Sequence, residues 1–226
     1  MKDFFELKNS EKGKDIYVLG SGKTLDYIPK SFFQGKVVVG SGDLYRYIPC
    51  KYYVRKEYGG YPKALELSRD VHSRAGVPDP IWILSRHDCG NHSGRVNYFP
   101  GTGAYWFKHI SNDTQTHVEE LETDRIIVSW STINSAIHCA YVLGAANIIL
   151  AGADCGTIDG ETNVSGYWVQ GESFGIPDPQ WYKNWLGQIS KATEDLANAI
   201  RAKGVSVTYI NPFVNFRLEG HKYESG

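Results

Sequence analysis

The chain has 226 residues, 42% of them hydrophobic, and a formal net charge of −1. That suits one α/β domain with a sizeable core and is too apolar for a disordered chain. The balanced charge gives no field that gathers nucleic acid or an anionic membrane, and no apolar run approaches the ~20 residues that a bilayer crossing needs.

Residues 1–14 are charged and lack an apolar stretch, so they are not expected to act as a secretory signal. The first predicted strand is the run Ile-Tyr-Val-Leu at 16–19, which enters the turn Gly20-Ser21-Gly22-Lys23-Thr24. A helix is expected after Thr24, with its N-terminal N–H groups facing any anion held by the turn. Gly20 and Gly22 let the backbone turn tightly and approach a ligand. The turn lacks the third glycine of a dinucleotide fingerprint and the four-residue gap of a Walker A loop. A second strand is predicted at 36–39, closed by Gly40-Ser41-Gly42-Asp43, and a short third one at 52–54. Residues 64–73 read as helix, 81–84 and 126–128 as strands.

Ser131 or Thr132 is placed to cap the next helix. Its residues Ile133, Ala136, Ile137, Ala140 and Gly144 recur at helical spacing; His138 is expected on the other face, in a structural role. A strand at 147–151 follows, closed by Gly152-Ala153-Asp154. Asp178-Pro179 opens a long helix with a stripe of Trp185, Ile189, Ala192, Leu196 and Ile200, ended at Gly204. Residues 205–210 supply the last strand. The alternation predicts a Rossmann-like α/β fold: a mostly parallel twisted sheet flanked by helices, in a single domain over 1–226. Two stretches break the rhythm, 85–125 and 155–178. Their aromatic, Gly- and Asn-rich composition reads as lid-like insertions with long aromatic-rich loops.

Ligands of an open parallel sheet bind beyond the carboxyl ends of its strands. Gly20, Ser21, Gly22, Lys23, Thr24, Ser41, Gly42, Asp43, Ser131 and Thr132 are therefore the candidate nucleotide-binding residues. Each of these ends is equally explicable as an ordinary turn, since Gly, Ser and Asp are turn formers. Asp154 is the leading acidic candidate; a carboxylate at a strand end accepts from sugar hydroxyls, holds a cation, or caps its own loop. Tyr167 can donate to a leaving phosphate oxygen and Trp168 can stack on a base. His87, Asp88, Cys89 and His92 match no common zinc spacing, so no metal site is assigned; His87 and His92 are instead candidates for general acid–base work. Four scattered cysteines suggest no disulfide framework, which points to a cytoplasmic location.

Residues 18–25, Val-Leu-Gly-Ser-Gly-Lys-Thr-Leu, resemble the first strand and glycine turn of the bacterial sialyltransferases built on a single Rossmann-like domain. Ser131-Thr132-Ile133-Asn134, the helix after it, and residues 147–154 are similar to their later helix and the strand closed by G-x-D. The same pattern occurs in the related motility-associated flagellin glycosyltransferases and the archaeal 6-hydroxymethylpterin diphosphokinases. Residues 207–216, with Asn211-Pro212, resemble their late strand and turn. The resemblance implies a nucleotide at these strand ends, and a transferase using a CMP-activated nonulosonic, sialic-acid-like sugar with a glycan or small-molecule acceptor. Tyr167 matches a loop tyrosine that assists departure of the phosphate there. Two departures stand out. The sialyltransferases carry asparagine where Ser21 and Ser41 stand, and their catalytic histidine falls near the start of the last long helix, where residues 177–190 contain none. The expectation is a glycosyltransferase that requires no cofactor. The alternatives are a diphosphokinase using Mg²⁺ with Asp43, Asp154 and Asp159, and a non-catalytic nucleotide-binding protein. No nucleic-acid partner and no transmembrane segment are expected, and a homo-oligomer is compatible with the sequence.

Overall fold

The protein is described by a computed structural model covering residues 2–56, 61–86, 103–109, 116–129, 131–158, 161–167 and 179–210. In these residues eight strands form one sheet: β1 (Lys2–Asp3), β2 (Asp15–Leu19), β3 (Val37–Ser41), β4 (Tyr52–Arg55), β5 (Ile81–Ser85), β6 (Tyr105–Phe107), β7 (Asn147–Ala151) and β8 (Ser206–Tyr209). Their order is β1-β6-β5-β4-β3-β2-β7-β8, and every pairing is parallel. Among the described residues three α-helices accompany them: α1 (Tyr61–Ala75), α2 (Thr132–Val142) and α3 (Pro179–Arg201). This is the Rossmann-like α/β architecture. Among the described residues no helix is long and apolar enough to cross a membrane.

A parallel sheet must be covered on both faces, and alternate residues of each strand divide accordingly. Ile16, Val18, Val39, Val54, Ile83, Ile148 and Leu150 join α2 and α3 in one core. Leu19, Val38, Tyr53, Trp82, Leu84 and Trp106 join Ala64 of α1 and the short 3₁₀ segments in the other. Helix α2 is buried nearly all round because it lies under β2, β3 and β4 and also against α3.

Three expectations change. The helix after the first glycine turn is a five-residue 3₁₀ turn, Lys23–Tyr27, starting before Thr24. Its shortness removes most of the dipole expected there. Residues 126–128 are not a strand. They are buried like one, but the Ile126 N–H goes to the Lys108 carbonyl at 2.7 Å and the Ile127 N–H to His138 Nδ1 at 3.0 Å. His138 therefore faces the interior. It is fully buried, its Nε2 meets the Leu121 carbonyl at 3.0 Å, and burial lowers its pKa to about 4, so it is a neutral splint as well as a helix residue. Within the insertion read at 85–125, β6 is a sheet strand that pairs with β5 and carries β1 on its outer edge, a pairing the sequence did not announce.

The end of the sheet where the strands begin is pinned by Glu11. Backbone N–H groups of Asn9, Glu11 and Gly13 reach the carbonyls of Val142, Leu143 and Gly144, at and just past the end of α2, at 2.9–3.0 Å. The Glu11 carboxylate is 1% exposed and accepts from Lys51 at 2.5 Å, Tyr52 at 2.7 Å and Lys14 at 2.9 Å. Burial opposes its charge, but these donors outweigh it and hold its pKa down to about 2. A depressed carboxyl pKa stabilises above the unfolded value and loses that contribution as pH falls through the folded one. Glu11→Gln is expected to cost roughly 2 kcal/mol at neutral pH. In urea unfolding, the gap to the wild type shrinks between about pH 5 and pH 2.

Candidate functional site

Strand order reverses direction at β2: the chain steps outward through β3, β4 and β5 on one side, then crosses to β7 and β8 on the other. The crevice between β2 and β7 is the topological switch point, where open α/β sheets bind ligands. Register puts Leu19 opposite both Gly40 and Ala151, so the turns after β2, β3 and β7 leave the sheet level with one another. Helix α2 brings a fourth element. Its C-terminal turn packs where the strands begin, and its eleven residues rise ~16 Å. A five-residue strand covers ~16 Å, so Ser131 and Thr132 lie level with the same rim. Ser131 is the N-cap residue and spends no side-chain hydrogen bond on the cap. Behind it, Asn134 donates to the Ser129 carbonyl at 3.3 Å and accepts from Thr193 of α3 at 2.9 Å.

The glycines of the rim serve chain-to-chain contact first. A Cβ on Gly20 would collide with the Gly152 carbonyl oxygen, and one on Gly22 with the Asp154 carboxylate. Gly152 adopts φ +64 and its own Cβ would lie 2.6 Å from the Gly20 oxygen. Gly22 N–H donates to the Gly152 carbonyl at 2.7 Å. The β2 and β7 turns thus interlock across the switch point.

Asp154 completes the lock. One carboxylate oxygen accepts from the Thr24 N–H at 2.8 Å and the other from the Thr24 hydroxyl at 2.5 Å. These contacts clamp the first glycine turn, 130 residues away in the chain. Lys23 is likewise engaged: its ammonium pairs with Asp26 at 2.8 Å and reaches Ser165 Oγ at 3.1 Å.

Residues 161–167 fold back over the turn. Val164 N–H donates to the Ser21 carbonyl at 2.8 Å, Ser21 Oγ donates to Asn163 Oδ1 at 2.9 Å, and Gly22 and Asn163 form an antiparallel bridge. The Tyr167 hydroxyl accepts from the Asp43 N–H at 3.3 Å, and Ser21 lies within hydrogen-bonding reach of it. Gly42 has φ +60, and a Cβ there would lie 2.7 Å from the Tyr167 oxygen, so glycine keeps room for it. Burial, then the Asp43 carboxylate, push the Tyr167 pKa up to about 12. Tyr167 therefore keeps its proton at neutral pH.

Ser41 Oγ donates to the Leu19 carbonyl at 2.8 Å, tying β3 to β2 at the rim. Asp43 follows. Its Oδ1 is buried, has no hydrogen-bond partner among the described residues, and lies 3.5 Å from Arg55 of β4. Arg46 and Arg55 both lie over the Tyr45 ring, 5.6 and 5.7 Å from its centroid. The rim beside Asp43 is thus cationic.

The rim brings together Gly20, Ser21, Gly22, Thr24, Asp154, Ser41, Gly42, Asp43 and Tyr167. Lys23 borders it from the 3₁₀ turn. His87, His92, Trp168 and Asp159 lie outside the described residues. Among the described residues no group of three or more His, Cys, Asp or Glu is arranged to hold a metal. Sequence reading missed Asp26, Asn163 and Ser165. Each acts through a partner far away in the chain, and no spacing signals that.

No protein-family model and no curated protein matches the sequence. Two solved structures do match. The MAf glycosyltransferase from Magnetospirillum magneticum AMB-1 is 14% identical with a TM-score of 0.50, over 94% of this chain and 36% of that one. The chain shares its fold with a glycosyltransferase. It spans about a third of that protein's length. The sialyltransferase CstII from Campylobacter jejuni, solved in complex with the substrate analogue cytidine-5'-monophosphate, is 15% identical over 94% of this chain and 92% of that one, with a TM-score of 0.46.

Removing the Asp154 carboxylate leaves the Thr24 N–H and hydroxyl without their partners. Asp154→Ala is expected to lower stability by about 2 kcal/mol in urea unfolding. An unchanged midpoint would mean that Asp154 does not hold the turn.

Proposed function

We propose that the rim binds the nucleotide of an activated sugar and that the protein is a glycosyltransferase, with a CMP-activated nonulosonic sugar as donor. The observation that carries this reading is the switch-point rim itself, where three strand ends meet beside a buried carboxylate oxygen, Asp43 Oδ1, that has no hydrogen-bond partner among the described residues. In dinucleotide-binding folds a carboxylate about 20 residues beyond the glycine turn accepts from the ribose hydroxyls. Asp43 stands at that position, at the end of the next strand. The fold shared with a glycosyltransferase supports the reading at the level of architecture.

The chemistry follows from the groups at the rim. Glycosyl transfer from a nucleotide needs donors for the charge that develops on the departing phosphate. Tyr167 keeps its proton at neutral pH and can donate to that oxygen. The backbone donors at the start of α2, with Ser131 and Thr132 beside them, favour an anion electrostatically. Arg55 adds a guanidinium for a second negative group. His87 and His92 are the proposed sources of the general base that deprotonates the acceptor hydroxyl.

Thermal unfolding with CMP, CTP and ATP, each with and without Mg²⁺, tests the reading. CMP at a hundred times its Kd stabilises by about 2.7 kcal/mol without metal if the reading holds. Stabilisation by ATP only with Mg²⁺ would instead support the diphosphokinase. If Asp43 holds the ribose, dCMP binds more weakly than CMP, and Asp43→Asn narrows the difference in calorimetry.

With donor and acceptor in hand, Tyr167→Phe is expected to lower kcat roughly 100-fold with little change in KM. Because its pKa lies near 12, wild-type activity shows no loss from Tyr167 ionisation as pH rises from about 8 to about 10.

A further inference from the structure

Helix α2 carries two fully buried polar side chains, Asn134 and His138, four residues apart on one face. Burying an amide or an imidazole costs stability unless its polar atoms find partners. Both find them in the segment that leads into the helix. The Ile127 N–H reaches His138 Nδ1 at 3.0 Å, and Asn134 Nδ2 donates to the Ser129 carbonyl at 3.3 Å. The helix therefore grips its own approach at two points. Behind Asn134 stands α3: the Thr193 hydroxyl, on a residue 2% exposed, donates to Asn134 Oδ1 at 2.9 Å.

The grip at Ser129 falls where the backbone resists most. Ser129 is buried and has φ +43, in the left-handed region that favours glycine. A serine stays there only where its surroundings hold it. Two residues on, Ser131 starts the helix. Its N–H donates to the Val128 carbonyl at 3.1 Å, and its carbonyl accepts from the Asn134 N–H at 3.1 Å. That turn sets the direction in which the first N–H groups of α2 point, and Asn134 braces the turn against α3.

A second observation concerns the same end of the helix. Ser135 is fully buried, and its hydroxyl has no hydrogen-bond partner among the described residues. It follows Thr132 by three residues and Ser131 by four, so it shares their face, and helical side chains lean toward the helix N-terminus. Ser131 itself makes no side-chain cap bond. Two hydroxyls thus stand ready at the end that Asn134 fixes.

We propose that Asn134 is a positioning residue which, braced by Thr193, holds the start of α2 in the orientation that receives the phosphate of the nucleotide. Asn134 acts through the Ser129 turn, and Thr193 acts through Asn134. The phosphate as target rests on the nucleotide reading above, whereas the link from α3 to the start of α2 does not.

Calorimetry with CMP and with cytidine, which lacks the phosphate, tests the role. Asn134→Leu removes both bonds at similar volume, and Thr193→Val removes the outer one. The preference for CMP over cytidine is expected to fall roughly ten-fold in Asn134→Leu and several-fold in Thr193→Val, with cytidine affinity unchanged. Thr193→Ser keeps the hydroxyl and should restore the preference. The double variant should match Asn134→Leu alone. Glu11→Gln, which destabilises the opposite end of the sheet, should leave the preference intact, so lost stability does not imitate the effect. Equal weakening of CMP and cytidine, or an unchanged preference in Thr193→Val, would overturn the role; if Asn134→Leu does not fold, the two Thr193 variants decide. Amide chemical shifts of the ligand-free chain test the link by itself: those of Ser131 and Thr132 should move in Thr193→Val while those of β2 and β7 stay. Unmoved shifts would overturn the link. If CMP does not bind the wild type while these shifts move, the nucleotide reading falls and the link stands.

Discussion

The contact between the β2 and β7 turns is the constraint on which the rest of the rim depends. Two glycines approach a third so closely that no side chain fits between them, and Asp154 clamps Thr24 across the gap. Parallel strands alone would align Leu19 with Ala151. The interlock also fixes where the chain goes next: the β2 turn is forced into the 3₁₀ segment that carries Lys23 and Asp26. That segment receives the 161–167 strap. The strap in turn seats Tyr167 beside Gly42 and Asp43. Each piece of the site is positioned by the one before it.

The two ends of the sheet have different tasks. Where the strands begin, Glu11 and the backbone of 9–13 close off the end of α2 with satisfied hydrogen bonds. Where they end, polar groups pair with one another: Ser21 with Asn163, Asp43 N–H with Tyr167, Lys23 with Asp26.

Much of this was legible in the sequence. The run at 147–151 gave β7 with its limits, because an apolar stretch bounded by Asn and Gly has one simple reading. The α3 stripe and its end at Gly204 followed from helical spacing. The strand ends that meet at the rim were readable because glycine, serine and aspartate mark turns, and parallel topology puts alternate turns at one edge. Other features were not. Residues 126–128 have strand composition, but their donors go to His138 and Lys108, and composition does not say where a hydrogen bond ends. His138 looked like the polar face of a helix that has no solvent face. The glycines of the first turn read as space for a ligand, yet much of that space is taken by Gly152 and Asp154. Strap partners such as Asp26 with Ser165 lie 139 residues apart, beyond the reach of any local pattern.

The central claim is that a nucleotide occupies the edge where β2, β3 and β7 end. Amide chemical-shift mapping during a titration with CMP tests it most directly. The account predicts that the largest changes cluster on Gly20, Ser21, Gly42, Asp43, Thr132 and Tyr167, with the Glu11 end of the sheet silent. Changes centred elsewhere, or a saturable response confined to the opposite end of the strands, would contradict it.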